Sequence, residues 1–462
     1  MCSKLLHATN IQKSNWCRPM QSVSQNLNKS SRHFVLWLFL TICACCPCSS
    51  LCSAELTSGE RQVVLNPYQS IDWATVGRYK AALHVHTLQS DGRYMPDEVI
   101  HAYRDAGFKI LAITDHDWHH PNLHVLNGNL SGTRWSPYPL APIPANYPAN
   151  TTWPWTSFGG SDPSTLGMVG IQAGELTFRH HINSYFSDYG VWYERTGRDA
   201  PYGGIVDATG REVWEDDQLI AIRDKGGLAI LNHPGLPDSF TWWERKPLDW
   251  YVERFQIHDP SYLVGMEVTN AAPKHELYDE GLWDQLLSRF MPHRPIWGFG
   301  NDDNHVLKTK ISYNLFLMDE LTSASVRKAL LDGQFLFTKS TAHADYTSSN
   351  VNVDVFPIVK SITLDPAAGT ITIDAAGHDE IRWISSPMST SPSEDYRTSD
   401  TPWDQGRVVH TGATLDLRRT PHIRHYVRAE ILRRDGESLH RVFTNPFGIA
   451  EVTSNGPAPS AR

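Results

Sequence analysis

The chain has 462 residues, of which 40% are hydrophobic and 20% charged, and its formal net charge is −9 at pH 7. That hydrophobic content is enough to bury the core of one large domain and a smaller one, which excludes an intrinsically disordered chain. The acidic balance disfavours a nucleic-acid partner, because binding to a phosphate backbone requires clustered Lys and Arg.

The first 54 residues have the composition of an export leader. Residues 33–46 form an apolar run with the length of a signal-peptide core, and only basic charges precede it. The leader holds five Lys and Arg and no Asp or Glu, so its removal changes the net charge from −9 to −14. We predict a secreted or periplasmic protein cleaved after Ala54. A lipoprotein-like site ending at Cys45 leaves a form anchored at its N-terminus as the alternative.

All seven cysteines lie within this leader. Residues 55–462 therefore have no thiol with which to form a disulfide or to bind a metal. Any metal site in the exported part of the chain must be built from histidines and carboxylates.

The first predicted elements after the N-terminal extension, residues 55–77, are a strand, a helix and a strand. The stretch "YKAALHVHT" is a predicted strand that ends in His84 and His86, which point to the same face because side chains alternate along a strand. The stretch "EVIHAYRDAGF" has apolar residues at helical spacing, and "KILAITDHD" is a strand that ends in Asp115 and His116. These elements predict a β-α-β unit.

The same pattern returns further along the chain. We predict strands at "MVGIQAGEL", "LAILNHPG", "LVGMEVTN" and "PIWGFGNDDNH", with a helix at "QLIAIRDKGG". Polar residues again follow the apolar runs, among them Glu175, His233 and Asp303. Strands that alternate with helices indicate a parallel sheet, and a closed or nearly closed barrel would bring these strand ends to one mouth.

Two regions depart from this alternation. An insertion at about 118–168 is rich in Pro, Asn and aromatic residues without periodicity, and it is predicted to be a lid or wall of the site or else to be disordered. Residues 345–452 alternate polar and apolar residues, with a hairpin around Asp435-Gly436, which predicts a small all-β, sandwich-like accessory domain. Residues 453–462 are a predicted flexible tail.

The motifs "HVHT", "SDG", "ITDHD", the "GE" at Glu175, "NHPG" and "DDNH" occur in the order found in the PHP (polymerase and histidinol phosphatase) superfamily. Over residues 78 to about 340 the chain resembles that superfamily, and it looks closest to secreted carbaryl-hydrolase-like members. The resemblance implies an α/β fold with a distorted (β/α)7 barrel over residues 78–344, followed by the small all-β domain.

The resemblance also implies a site for two or three divalent metal ions, Zn, Mn or Fe. The implied ligands are His84, His86, Asp91, His116, Glu175, His181, His233, Asp303 and His305. In this assignment the first metal is held by His84, His86 and Asp303. Glu175 bridges it to a second metal, which His181 and His233 complete. The remaining ligands, Asp91, His116 and His305, hold a third metal that some relatives lack.

Several residues near the implied ligands have two alternative roles. His180 and Asp302 each adjoin an implied ligand, and they are expected to face elsewhere or to orient ligands. Asp115, beside His116, is a candidate for catalysis or for the same orienting role. Arg93 and Arg179 are candidates to contact a phosphate oxygen, although a surface salt bridge explains either arginine equally well.

The chemistry implied by two such metals is hydrolysis by a bridging hydroxide. The leading hypothesis is a phosphomonoesterase or phosphodiesterase acting on a small-molecule phosphoester. The alternative on the same site is hydrolysis of a carbamate or a carboxylic ester, and the alternative of another class is a non-catalytic surface binding protein with a structural metal. No nucleic-acid partner is expected, and membrane contact is expected only through an uncleaved leader or a lipid anchor.

Overall fold

The computed structural model describes residues 60–90, 92–116, 151–177, 180–189, 214–236, 245–270, 276–307, 312–341 and 355–452. All of them belong to one unit of the chain, Thr57–Arg462. The predicted leader, most of the predicted insertion and the predicted tail lie outside the described residues. Among the helices in these ranges, none is long and apolar enough to cross a membrane.

Strands outnumber helices in the described chain. The strands are β1 (Glu60–Leu65), β2 (Gly77–Ala82), β3 (Phe108–Ala112), β4 (Val169–Ile171), β5 (Ala173–Leu176), β6 (Ile182–Tyr185), β7 (Leu228–Leu231), β8 (Leu263–Thr269), β9 (Trp297–Gly300), β10 (Asn314–Met318), β11 (Phe335–Ser340), β12 (Ile358–Asp365), β13 (Thr370–Ala376), β14 (Glu380–Ser385), β15 (Arg407–Thr411), β16 (Thr414–Asp416), β17 (Tyr426–Asp435), β18 (Ser438–Thr444) and β19 (Phe447–Val452). The α-helices are α1 (Pro96–Asp105), α2 (Glu215–Asp224), α3 (Leu248–Ile257), α4 (Glu276–Phe290) and α5 (Ser323–Asp332). Two short 3-10 helices, Trp155–Phe158 and Pro163–Leu166, lie in the described end of the predicted insertion.

These strands form three sheets. The largest has the order β1-β19-β17-β18-β11-β10-β2-β3-β4, and in addition β14 pairs with β17 and β15 pairs with β14. The second sheet has the order β5-β6-β7-β8-β9. The third sheet has the order β12-β13-β16. Pairing is parallel along β2-β3-β4 and β7-β8-β9, as predicted. It is antiparallel at β5-β6-β7, β2-β10 and β10-β11, where the prediction of a parallel sheet is wrong. Between β5 and β6 the chain has only residues 177–181, too few for the crossover that a parallel pair needs.

The α/β class is confirmed, whereas the predicted (β/α)7 barrel is not seen as a closed structure. In the described residues the first two sheets are hydrogen-bonded separately and remain open. They approach each other at their strand ends, where isolated bridges join Val85 to Asn304 and His116 to Glu175. The residues that follow the strands are therefore brought together although the sheets do not close.

The central strands have continuous apolar sequences because they are buried on both faces. Every residue of β7 and β8 is buried, which is typical of strands covered on both faces. Helix α1 packs Val99, Ile100 and Tyr103 into the core that lies against β3. This packing fixes the strands whose ends carry the polar residues.

The C-terminal strands continue the largest sheet. Strand β18 pairs with β11, and β17 and β18 form the predicted hairpin, with Asp435 opposite Ser438 and Gly436 at a φ of +59°. Such a positive φ suits glycine, which has no Cβ. The small sheet shares a hydrophobic core with β14 and β17, through Ile362 and Ile371 on one side. Division into two domains at residue 344 stays a prediction.

A buried ionic network attaches helix α4 to these C-terminal strands. Both Asp284 oxygens accept hydrogen bonds from Arg428, each at 2.9 Å. Asp284 also accepts from the Tyr426 hydroxyl and the Gly406 amide, both at 2.7 Å. Arg428 donates to Glu430 at 2.7 Å. Because Asp284 and Arg428 are almost wholly excluded from solvent, each charge depends on the other for its stability.

Candidate metal centre

Imidazoles and carboxylates from the largest sheet and from the β5-β6-β7-β8-β9 sheet lie close together. They lie just beyond β2, β3, β7 and β9, within β5 and just before β6. The residues are His84, His86, His116, Glu175, His181, His233, Asp303 and His305. These are the predicted ligands except for Asp91, which lies outside the described residues. Their role as ligands stays a prediction that this geometry supports.

One oxygen of Glu175 faces the histidines of the largest sheet. Glu175 is fully buried, and its Oε2 lies 3.2 Å from His84 Nε2, 3.3 Å from His86 Nε2 and 3.0 Å from His116 Nδ1. The bridge between His116 and Glu175 holds the two chain segments in register at this point.

The other oxygen of Glu175 faces a second set of side chains. Oε1 lies 2.9 Å from His181 Nδ1 and 3.3 Å from His233 Nε2. It also accepts a hydrogen bond from the Asn232 side-chain amide at 2.8 Å. The two oxygens of one carboxylate thus serve different groups of imidazoles.

Asp303 completes the first group from the loop after β9. Its Oδ1 lies 3.0 Å from His86 Nε2 and 3.2 Å from His84 Nε2, and its Oδ2 lies 3.9 Å from His233 Nε2. Asp303 has a φ of +50°, a left-handed conformation that is uncommon for residues other than glycine. Such strain is found where the surrounding structure holds a functional side chain in position. The ring of His305 stacks on His86 at 4.2 Å.

The donor set fits divalent cations. His84 Nε2, Glu175 Oε2 and Asp303 Oδ1 are buried, and none of these atoms makes a well-directed hydrogen bond to the part of the chain that the structure describes. Buried polar atoms rarely remain in that state unless an ion or a ligand satisfies them. Four groups offer ligand atoms within 4.8 Å of one another: His84, His86, Glu175 and Asp303; His86, His116 and His305; His116, Glu175 and His181; and His84, His233 and Glu267. Imidazole and carboxylate ligands suit Zn, Mn or Fe.

Electrostatics keep the acidic members of the cluster ionised. Burial alone would raise the pKa of Glu175, but the neighbouring imidazoles, His84 foremost, hold it well below its usual range. Burial also opposes ionisation of Asp303, whose pKa is lowered chiefly by His84. Burial lowers the pKa of His181 to about 4, so this imidazole is neutral at physiological pH and keeps a lone pair for a metal.

Glu267 on β8 also lies in the site, although the sequence motifs did not predict it. Its Oε1 accepts hydrogen bonds from His84 Nδ1 at 2.6 Å and from the Asn301 amide at 2.7 Å, and its Oε2 accepts from the His233 amide at 2.9 Å. When the ring is neutral, as it must be to bind a metal, donation from Nδ1 leaves the lone pair on His84 Nε2, which faces Glu175. The sequence does contain one signal for Glu267: it is the one charged residue in the apolar run "LVGMEVT". An acidic side chain in a buried strand requires hydrogen-bond or ionic partners, which makes it a candidate site residue.

Asp115 lies beside the cluster and accepts hydrogen bonds that hold the neighbouring loop in place. Its Oδ1 accepts hydrogen bonds from the Thr87 amide at 2.6 Å and the Ser90 hydroxyl at 2.7 Å, and its Oδ2 accepts from the Thr87 and Thr152 hydroxyls, both at 2.6 Å. These bonds tie the loop after His86 to the end of β3. The geometry favours the orienting role for Asp115 over a catalytic one.

Of the other candidate residues, His180 and Asp302 are not members of these four groups of ligand atoms. Arg93 is exposed, and its backbone amide donates to the His305 carbonyl at 2.9 Å. Asp302 accepts a hydrogen bond from the Ser312 amide at 2.9 Å, and the His180 ring packs edge-on against aromatic rings of α3. Arg179 lies outside the described residues.

Comparison with known proteins finds only distant likenesses. No protein-family model and no curated protein matches the chain. Among solved structures, it is similar to a two-domain protein from Bacteroides vulgatus that contains a predicted PHP-like metal-dependent phosphoesterase, with 13% identity, coverage of 80% of this chain and 93% of that chain, and a TM-score of 0.40.

Two further solved structures are similar at a lower level. One is a candidate metal-dependent phosphoesterase from Bifidobacterium adolescentis, with 14% identity, coverage of 55% of this chain and 96% of that chain, and a TM-score of 0.29. The other is an amidohydrolase from Chromobacterium violaceum with bound sulfate and no metal, with 14% identity, coverage of 49% and 87%, and a TM-score of 0.27. Scores this low do not assign the chain to a family.

Proposed function

We propose that the chain is an exported, metal-dependent hydrolase of the PHP type that cleaves phosphoester bonds. One observation carries the proposal: the two oxygens of buried Glu175 face two different sets of imidazoles. A carboxylate in that position is suited to bridge two cations. The two open sheets would then correspond to the distorted barrel of that superfamily.

We assign separate groups of residues to each cation. His84, His86 and Asp303 would hold one cation, and His181 and His233 would hold a second, with Glu175 between the two. The group formed by His86, His116 and His305 is the candidate for a third. When bound, such cations supply a nucleophile at neutral pH and offset the negative charge of a phosphate.

The chain's own groups also prepare the site for an anionic substrate. Glu267 accepts a hydrogen bond from the His84 ring and is itself held by the Asn301 side-chain amide, and Asn232 donates to the Glu175 carboxylate, so the ligands are oriented before a substrate arrives. Cations in the cluster would attract phosphate locally, and this attraction outweighs the acidic net charge of the whole protein. A phosphoester is therefore preferred over an uncharged carbamate or carboxylic ester.

Metal content and substrate hydrolysis test the function together. The protein recovered from outside the cell, with Glu55 expected as its first residue, is assayed for metals and for hydrolysis of phosphomonoesters, phosphodiesters, carboxylic esters and carbamates, with and without EDTA. We expect two to three metals per chain and phosphoester turnover that EDTA abolishes and added Zn²⁺ or Mn²⁺ restores.

Each other outcome overturns a stated part of this proposal. Turnover of carbamates or carboxylic esters alone would make the phosphoester assignment wrong. Fully metallated protein without any hydrolysis would favour the binding protein with a structural metal. Failure to bind metal would contradict the metal centre itself.

Substitution of Glu267 by glutamine is expected to weaken metal binding by about 10-fold to 100-fold, the usual effect of losing a partner that orients a metal ligand. Glutamine keeps the size of the side chain but loses the charge that accepts the His84 proton at 2.6 Å. Competition with a metal-binding dye measures the affinity. An excess of metal should restore kcat, because Glu267 acts through His84.

The matched control for this prediction is Glu320→Gln, which removes an exposed carboxylate after β10. Unchanged affinity is expected for that variant. Wild-type metal affinity in Glu267→Gln would show that Glu267 does not position His84.

A further inference from the structure

Four buried polar side chains beside the candidate metal centre have polar atoms that make no hydrogen bond to the described protein. They are His180, Glu215, Gln218 and Tyr251, with exposed fractions of 1%, 3%, 0% and 0%. His180 Nε2, Glu215 Oε1, both side-chain amide atoms of Gln218 and the Tyr251 hydroxyl make no hydrogen bond to any residue in the described ranges. Folded proteins seldom bury several such groups together unless another molecule satisfies them.

The four side chains come from three parts of the chain that pack together. Glu215 and Gln218 lie three residues apart in the first turns of α2, so they share one face of that helix. Tyr251 lies on α3, and its ring centroid is 5.5 Å from that of His180, which precedes β6. Burial is the main reason that the pKa of Tyr251 lies well above its usual range, and the nearby Glu215 carboxylate raises this pKa further.

Lys246 and Trp250 connect these groups into one cluster. Lys246 Nζ lies 3.9 Å from Glu215 Oε1 and 5.8 Å from the centre of the Trp250 ring. The Trp250 ring in turn lies 5.1 Å from His180 and 4.9 Å from Tyr251. The cluster therefore has one carboxylate and one ammonium group 3.9 Å apart, and Gln218 and Tyr251 add uncharged polar groups.

This polar cluster borders the metal centre on one side. His180 is followed directly by His181, whose Nδ1 lies 2.9 Å from Glu175 Oε1. The His181 ring lies 5.2 Å from that of His233. The polar cluster and the metal centre therefore adjoin along the chain at His180 and His181.

We propose that His180, Glu215, Gln218 and Tyr251 form a subsite that binds a hydroxyl-bearing part of the substrate. Their atoms include hydrogen-bond donors and acceptors, and a hydroxyl group is both. Lys246 offsets the charge of Glu215, so the subsite suits an uncharged polyol group and disfavours a second phosphate. This inference rests on the proposed phosphoester hydrolysis and extends it by naming the substrate class, phosphate esters of polyols.

The test compares two substrates in two variants, Gln218→Leu and Tyr251→Phe. The measured quantity is the ratio of kcat/KM for glycerol 3-phosphate to kcat/KM for phenyl phosphate. Each variant is expected to lower this ratio about tenfold, since each loses a hydrogen bond that only the polyol accepts or donates. The Tm is expected to stay the same or to rise, because neither side chain has a protein hydrogen bond to lose.

Tyr262→Phe is the matched control for Tyr251→Phe. The Tyr262 hydroxyl is hydrogen-bonded to His258 Nδ1 at 2.7 Å, so its removal should lower the Tm and leave the substrate ratio unchanged. If Tyr251→Phe instead lowers the Tm as Tyr262→Phe does, with an unchanged ratio, the hydroxyl is satisfied within the protein by buried water and the subsite is wrong.

A binding measurement separates failure of the subsite from failure of the proposed function. Calorimetry with glycerol 3-phosphate is carried out on the metal-loaded wild type and on both variants. Binding that weakens about tenfold in the variants, without hydrolysis of any ester, would support the subsite and contradict the function. Hydrolysis of both substrates with the same ratio in all three proteins would support the function and overturn the subsite.

Discussion

Replacing Glu175 by glutamine is expected to reduce phosphoester turnover by more than about 100-fold, the upper end of the loss seen when a residue that merely orients a metal ligand is changed. The effect should be larger here because both Glu175 oxygens face candidate ligand groups, Oε2 towards His84 and Oε1 towards His181. A glutamine amide cannot bridge two cations. Steady-state kinetics and metal content are measured on the same preparation, and the bound metal is expected to fall as well.

Glu437→Gln provides the matched control, because Glu437 is an exposed residue of the β17-β18 turn. Its turnover and metal content should equal those of the wild type. His86→Ala should also abolish hydrolysis, since His86 lies close to both Glu175 and Asp303. Normal turnover in either Glu175→Gln or His86→Ala would contradict the two-metal mechanism.

Asp284→Asn is expected to lower the free energy of unfolding by about 3 kcal/mol. The substitution keeps the shape of the side chain but leaves the buried Arg428 guanidinium without its bidentate carboxylate partner. Glu430 still pairs with Arg428 at 2.7 Å, which places the expected loss at the lower end of the range for broken buried ion pairs. Denaturation by guanidinium chloride measures the change.

The partly exposed pair of Arg382 and Glu380 provides the comparison for this prediction. Its atoms lie at the same distance, 2.9 Å, but about a third of each side chain is open to solvent. Glu380→Gln should therefore cost less than about 1 kcal/mol. If the two substitutions cost the same, the buried network does not hold α4 against the C-terminal strands.

The position of the site could be predicted because it depends on local patterns. Histidines and carboxylates follow apolar runs, and the ends of neighbouring strands meet in space, so the cluster around Glu175 follows from where each run ends. The role of Glu267 could not be predicted in the same way. Its partners, His84 and Asn301, are distant in sequence, and a single acid in a strand does not reveal which groups it will meet.

The sheet topology shows a similar limit. The alternation of strands and helices predicts the parallel pairs β2-β3 and β7-β8, whose crossovers contain helices or long connections. It does not predict that β10 lies antiparallel to β2, or that β11 pairs with β18, because those choices depend on side-chain packing between segments far apart in the chain. Asp115 illustrates the same problem for one residue, since adjacency to His116 does not tell which way its carboxylate points.

The pairing of β1 with β19 limits the order in which the protein can fold. Glu60 lies opposite Val452, so the first and last described strands are partners. During synthesis, β1 leaves the ribosome with an unpaired edge and keeps it until its partner emerges, on the order of tens of seconds later at typical translation rates. Strand β11 likewise has no partner along one edge until β18 has been synthesised. The sheet that carries the first histidine pair can therefore be completed only after β19 has been synthesised, and until then its unpaired edges are open to pairing with other chains.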